Sequence, residues 1–290
     1  MRARKDSSSP TGSGGNTNLS PFLADQLDLS LEWYFGKGGM LAGALFYKDF
    51  TSYTYKKLTQ DDNFSNPYAG TPGAPDCIVD RHALDADKLT ATAPCQVDFT
   101  QEVDGGDADI KGAELAYNHN YDFLPGFWGK FGHAINYTYA DSEAIVDPDN
   151  LQDPFNGLPF LNTSKHSANI TGYWENDYSS YRLAYSYRSR NLSQTTNKKS
   201  AIIQEARGTL DFSANFNLSK DLKLSVSAIN LTNSYDKYIN GVAVTTDVGG
   251  NAIPGIVREV GNDLEDVSDN RINAIRYYGR SYRLSLRYTF

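Results

Sequence analysis

Nowhere among the 290 residues does an apolar run reach the ~18 that a membrane-crossing helix requires, so a helical span is excluded. Basic charge is also in deficit. Lys and Arg number 27 against 35 Asp and Glu, the formal net charge is -8, and no basic stripe exists to offset nucleic-acid phosphates, so no nucleic-acid partner is expected. The four histidines, His82, His119, His133 and His166, are far apart in sequence, which argues against a metal centre or a nucleophile–base pair. There is no Gly-x-Ser-x-Gly and no His-Glu-x-x-His, so neither an enzyme nor a cofactor is expected. The opening "MRARKDSSSPTGSGGNTNLS" is basic and then Ser/Gly-rich, without the apolar centre of a secretory signal, and no export address is read from it.

Only two cysteines occur, Cys77 and Cys95, both in the polar stretch "APDCIVDRHALDADKLTATAPCQ". Closing such a loop gains roughly 3 kcal/mol on the chain-entropy view, which makes a disulfide the expected state, with two free thiols as the alternative in a reducing compartment. Their spacing matches no zinc site.

What the chain has in abundance is tyrosine: 20 Tyr, with 14 Phe and 3 Trp. Average hydropathy is nonetheless negative. That combination suits strands apolar on one side only. The tail "YYGRSYRLSLRYTF" sets Tyr278, Tyr282, Leu284, Leu286, Tyr288 and Phe290 (with Arg280 in the same row) against Gly279, Ser281, Arg283, Ser285, Arg287 and Thr289. The same period of two recurs along Leu27–Phe35, Leu41–Lys48, Ala113–Asn118, Phe131–Tyr139, Ala168–Trp174, Tyr181–Arg188, Leu210–Leu218 and Leu222–Ala228. About nine strands are therefore expected. The connections alternate. "GKGG", "YDFLPGFWG", "ENDYS" and "SKD" are short, whereas the connections between them are long, so all tight turns share one edge of the sheet and all long loops the other. Trp33, Phe35, Phe216, Tyr288 and Phe290 fall at the turn side, and Tyr137, Tyr139, Tyr187 and Tyr278 at the loop side, as two interfacial girdles would.

The stretch "GGNTNLSPFLADQLDLSLEWYFGKGGMLAGALFYKDF", the hairpin "KGAELAYNHNYDFLPGFWGKFGHAINYTYADS", the segment "LSVSAINLTN" and the terminal "RYTF" together resemble the C-terminal part of a TonB-dependent outer-membrane receptor. The resemblance covers about Gly14 to Phe290. It implies a portion of a plugged barrel of about 22 strands, in the outer membrane of a Gram-negative bacterium. The expected fold class is all-β: an antiparallel up-and-down transmembrane barrel portion, open or incomplete as a lone chain. Residues 1–20 are expected to be disordered or the remnant of an extracellular loop, and residues 21–290 the barrel portion.

In the resembling family the last strand ends on an aromatic residue read by the outer-membrane assembly machinery, here Phe290 with Tyr288. Plug, TonB box and most strands of that family have no counterpart in this sequence, so the expected chain reaches TonB only through other parts and transports nothing actively by itself. Its partners would be outer-membrane lipid, the assembly machinery and a small ligand of unknown identity. Two further readings stand beside it: a soluble or surface β-sandwich that binds glycans, and a small porin-like barrel closed by an extra strand from "KYINGVAV" (Lys237–Val244) or "AIPGIVREV" (Ala252–Val260). The acidic groups Glu259, Asp263, Glu265, Asp266 and Asp269, and Asp147 with Asp149, match no calcium loop and read as solvated surface. Ligand contact, if any, is expected from loop-mouth aromatics such as Tyr53, Tyr55, Phe155 and Tyr235.

Overall fold

The computed structural model describes residues 11–64, 95–145, 156–196, 200–241 and 272–290. The Asp147/Asp149 and Glu259–Asp269 groups, Phe155, His82, Cys77 and the Ala252–Val260 segment lie outside them. Among the described residues the chain is β throughout, with a single 3-10 turn at Trp128–Lys130. The strands are β1 (Thr11–Gly14), β2 (Leu23–Phe35), β3 (Gly39–Ser52), β4 (Thr54–Phe64), β5 (Cys95–Asp104), β6 (Ala108–Asn120), β7 (Phe131–Ala144), β8 (His166–Glu175), β9 (Ser179–Arg188), β10 (Asn191–Thr196), β11 (Ser200–Gln204), β12 (Arg207–Asn217), β13 (Leu222–Ile229), β14 (Tyr235–Asn240), β15 (Ile272–Tyr277) and β16 (Ser281–Tyr288).

Nine of these form one antiparallel sheet in the order β16-β13-β12-β9-β8-β7-β6-β3-β2. They are the nine strands that alternation marks, each paired with its neighbour along the chain. Register follows the apolar rows. Leu224 faces Leu286 and Val226 faces Leu284 across β13 and β16, while Phe131, Trp174 and Tyr181 line up across β7, β8 and β9. The four tight turns all lie at one edge, and side chains hold two of them. Asn176 Oδ1 accepts from Tyr178 N–H and Ser179 N–H at 2.9 and 2.7 Å, and Ser219 Oγ accepts from Leu222 N–H at 3.1 Å.

No second layer covers the apolar face among the described residues. Even on interior strands, Leu45 is 59% exposed and Leu115 and Leu183 are each 47% exposed. A leucine withdrawn from water gains about 1.5–3 kcal/mol, so a row of bare leucines belongs against an apolar solvent. The sheet does not close: β2 and β16 are its edges. In hydrocarbon every unpaired edge group costs several kcal/mol, so both edges require partner strands there.

The long connections are not irregular. Between β9 and β12, and again between β13 and β16, the chain builds two hairpins that join through β11 and β14 into a four-stranded sheet, β10-β11-β14-β15. Lys237–Val244 was a candidate for closing a barrel. Its described part instead falls in β14, which pairs with β11 and β15 and adds nothing to the nine-stranded sheet. The buried apolar cluster sits in this loop-side region and not in the wall: Leu158, Leu192, Ala201, Ile203 and Ile239.

The chain divides into two compact units, Met1–Phe22 with Ser52–Gly105, and Leu23–Thr51 with Gly106–Phe290. In the first, β5 pairs antiparallel with β4 and parallel with β1. Asp104 there accepts from Ser20 Oγ at 2.8 Å and from its N–H at 3.0 Å. The second unit holds the nine-stranded and four-stranded sheets.

Candidate functional site: the loop-side joint of the wall

Four wall strands continue into the four loop-side strands in the same lateral order. β9 runs into β10, β11 into β12, β13 into β14, and β15 into β16. The joints therefore line up side by side, and they are where the charged groups collect.

Asp236, on β14, is nearly buried. Its Oδ1 accepts from Arg188 at 3.2 Å and from Arg207 at 3.0 Å, and its Oδ2 accepts from the Tyr278 hydroxyl at 2.7 Å. Burial alone pushes the Asp236 carboxyl up, but the Tyr278 hydroxyl and the two guanidinium groups outweigh it and hold the carboxyl below the ordinary carboxylate value. The Tyr278 hydroxyl is pushed up in turn by donating to that carboxylate. Arg207 also lies over the Tyr278 ring, 5.0 Å from its centre. A second pair stands beside the first: Arg190 Nε donates to Glu205 at 2.9 Å, both side chains largely buried.

The β13–β14 turn is bolted to this joint by the residues of the "NLTN" motif. Asn230 and Asn233 have φ of 59° and 53°, the left-handed region that asparagine tolerates better than other non-glycine residues. Asn230 Nδ2 donates to the carbonyls of Ser234 and Gly279, both at 2.9 Å, its Oδ1 accepts from Ser234 N–H at 2.8 Å, and its own N–H donates to Asp211 at 2.8 Å. Ser234 Oγ donates to the Gly208 carbonyl. The motif thus ties β12, β14 and the start of β16 together.

At the joint lies a cleft of about 270 Å³ lined by Glu205, Ala206, Arg207, Gly208, Ser234, Tyr235 and Lys237. Glu205 Oε1 and Arg207 Nε are shielded and have no protein partner. Shielded polar atoms of that kind are costly unless something bonds them. The cleft can offer a guanidinium N–H, a carboxylate oxygen and an aromatic edge to a polar molecule; Tyr235 is 43% exposed, and its ring packs at a tilt of 45° against that of Tyr277, centres 5.0 Å apart.

The other sequence-picked residues are dispersed. Tyr53 is buried against Gly105, and burial pushes its hydroxyl well up; Tyr55 is half-buried. Cys95 opens β5. Tyr288 ends β16 opposite Leu222, and its ring meets that of Phe290 edge-on at 5.0 Å. The histidines are not all apart: His119 and His133 stand directly opposite each other on β6 and β7, with ring centres 6.4 Å apart, and His166 pairs with the Tyr137 hydroxyl at 2.7 Å. Among the described residues no three His, Cys, Asp or Glu side chains cluster as a metal site.

A family-level sequence profile, described as TonB dependent receptor-like, beta-barrel, matches residues 3–231. The chain belongs to the TonB-dependent receptor β-barrel family, transport proteins of the Gram-negative outer membrane. No curated relative matches it in sequence. Among solved structures it is similar to the ferric enterobactin receptor PfeA of Pseudomonas aeruginosa in complex with enterobactin, with 14% identity and a TM-score of 0.55 over 97% of this chain and 34% of that one. It is also similar to the siderophore receptor PirA of Acinetobacter baumannii (13% identity, TM-score 0.55, 96% of this chain, 33% of that one) and to the copper transporter OprC (12% identity, TM-score 0.52, 95% and 33%). At these identities the likeness is one of fold. The chain spans roughly a third of the length of those structures.

Proposed function

We propose that these residues form the C-terminal part of the wall of an outer-membrane receptor that takes up a scarce ligand with energy delivered through TonB, and that the loop-side joint is where this part of the wall meets the ligand. The observation that carries the reading is the inversion of burial: the wall leaves its leucines bare while the loops hold the buried apolar cluster and a rigid set of ion pairs. Such a molecule is built to be solvated by lipid along the wall and to present a fixed polar surface beyond it. A siderophore receptor and a copper transporter among its structural neighbours support a small-molecule cargo. The wall portion by itself, with open edges, does not couple to TonB. Phe290 and Tyr288 supply the recognition end for the assembly machinery, and Cys77 bonds Cys95, the first residue of β5.

Uptake tests the proposal. Cells deprived of their own receptors and expressing these residues alone should gain no energised uptake of any siderophore or metal complex, while the same residues joined to a family plug and N-terminal strands should restore uptake that disappears with TonB. Energised uptake by the lone chain overturns the reading.

A further inference from the structure

Of the turns that join neighbouring wall strands, those at residues 36–38, 176–178 and 218–221 are short and polar, with at most one apolar or aromatic side chain each, as suits turns that dip into water. The β6–β7 turn, residues 121–130, differs: it carries Phe123, Leu124, Pro125, Phe127 and Trp128. Its backbone is held in place. Tyr121 N–H donates to the Phe131 carbonyl at 2.9 Å and Leu124 N–H to the Tyr121 carbonyl at 2.8 Å, Gly126 takes the left-handed region at φ 62°, and Trp174 Nε1 donates to the Phe127 carbonyl at 3.1 Å.

The turn leans to one side of the sheet. Phe123 stacks on His119 with ring centres 5.4 Å apart, Phe127 meets Phe131 and Trp174, each at 5.3 Å, and Trp128 stacks on Phe131 at 5.8 Å. His119, Phe131 and Trp174 all belong to the apolar rows of the wall, so the turn lies over the lipid-facing side and not over the polar one. These contacts leave much of the turn bare: Phe123 is 66% exposed, Phe127 59% and Trp128 62%.

The height of the wall says what meets those rings. On β7 the apolar row runs Phe131, His133, Ile135, Tyr137 and Tyr139, and it ends at Asp141, which Lys111 and Lys165 approach at 3.9 and 3.7 Å. From Phe131 to Tyr139 the strand rises about 27 Å along its own axis. Tilted by about 40°, it covers only about 20 Å of an apolar band about 25 Å tall. Charge closes the loop-side end, so the shortfall lies at the turn side, where Phe123, Phe127 and Trp128 continue the lipid-covered face. A short apolar stretch otherwise thins the bilayer around it, and interfacial aromatic rings, apolar in body with a polar tip on Trp, are the side chains that sit at that boundary.

We propose that the β6–β7 turn is a membrane anchor, its Phe123, Phe127 and Trp128 rings set in the interfacial zone of the periplasmic leaflet, where they complete the apolar band that β7 leaves short. The inference rests on the wall being lipid-facing, and Trp33, in the leucine row of β2, reports on that separately.

Tryptophan emission of the receptor refolded into phosphatidylcholine vesicles tests it, with acyl chains brominated near the head group as the lipid-side quencher and iodide as the water-side one. Trp128 is read as the difference between wild type and Trp128→Phe, and Trp33 as the difference between wild type and Trp33→Phe; both substitutions leave the Trp174–Phe127 bond in place. The brominated lipid should dim Trp128 about twofold or more, as it dims Trp33, while iodide dims Trp128 by less than about a fifth. Trp33 dimmed by the brominated lipid with Trp128 dimmed only by iodide places the turn in water and overturns the anchor while sparing the wall. Trp128 dimmed by neither quencher places it under protein and overturns the anchor likewise. Trp33 and Trp128 both untouched by the brominated lipid overturns the lipid-facing wall and the anchor together.

Discussion

Replacing Asp236 by Asn removes one charge and leaves the side chain nearly the same size. In the native joint that carboxylate, 7% exposed, faces Arg188 and Arg207, which are 29% and 23% exposed. Taking one partner from a largely buried ion pair costs about 3–5 kcal/mol, because the remaining charge keeps its desolvation penalty. Both guanidiniums retain some water here, so the lower figure, about 3 kcal/mol, applies. At 1.36 kcal/mol per tenfold, the loop-side sheet should open roughly a hundredfold more often. Amide hydrogen exchange in micelles reads this directly: β11 and β14 amides should exchange roughly a hundredfold faster, while β12–β13 amides between Phe212 and Asn217 stay protected. A change below about threefold, or an equal loss of protection along the wall, would refute the assignment of Asp236 as the tie between the two sheets.

Because the folded-state carboxyl of Asp236 lies below its unfolded value, its contribution is complete above that unfolded value and is lost as pH falls through the folded one; the protection factors of β14 amides, taken against the intrinsic exchange rate at each pH, should hold steady from pH 7 to about 4 and fall only below, a step absent in Asp236→Asn. Gly112→Ala should disturb the β6–β7 pairing, since a Cβ there collides with the Tyr139 carbonyl and the Phe46 ring; a cost of about 1–3 kcal/mol should appear in the urea midpoint of refolding into micelles, and an unchanged midpoint would contradict it. Replacing Phe290 with Ser should lower the amount reaching the outer membrane without changing refolding in micelles, as membrane fractionation would show. Alkylation before reduction should leave Cys77 and Cys95 unmodified, and mass spectrometry decides it.

The wall is legible in the sequence because a strand with lipid on one side and water on the other must alternate. Leu210, Phe212, Ala214 and Phe216 against Asp211, Ser213 and Asn215 carry that pattern without exception, and the sheet order follows from chain order. The loop-side sheet is not legible there. Its strands are only five or six residues long, and β11 finds its partner β14 across an intervening hairpin of the wall. The Asp236 cluster joins residues 48 and 29 positions apart, a separation no local motif reports. The His119–His133 pair is within reach of the sequence: once the β6–β7 turn is fixed, the register places the two opposite each other. The "NLTN" residues stand out as a motif, but their work, two left-handed asparagines and the hydrogen bonds of Asn230 to Asp211, Ser234 and Gly279, shows only in the folded chain.

Everything turns on which solvent meets the apolar face. Leu284 and Ser285 are neighbours in the middle of β16 and point to opposite sides of the sheet. For the receptor refolded into bilayers, Leu284→Arg should cost about 2–4 kcal/mol of folding free energy, and Ser285→Arg no more than about 0.5 kcal/mol. If instead Leu284→Arg is neutral and the chain stays folded and monomeric in buffer without detergent, the face meets water and the wall is not a membrane wall.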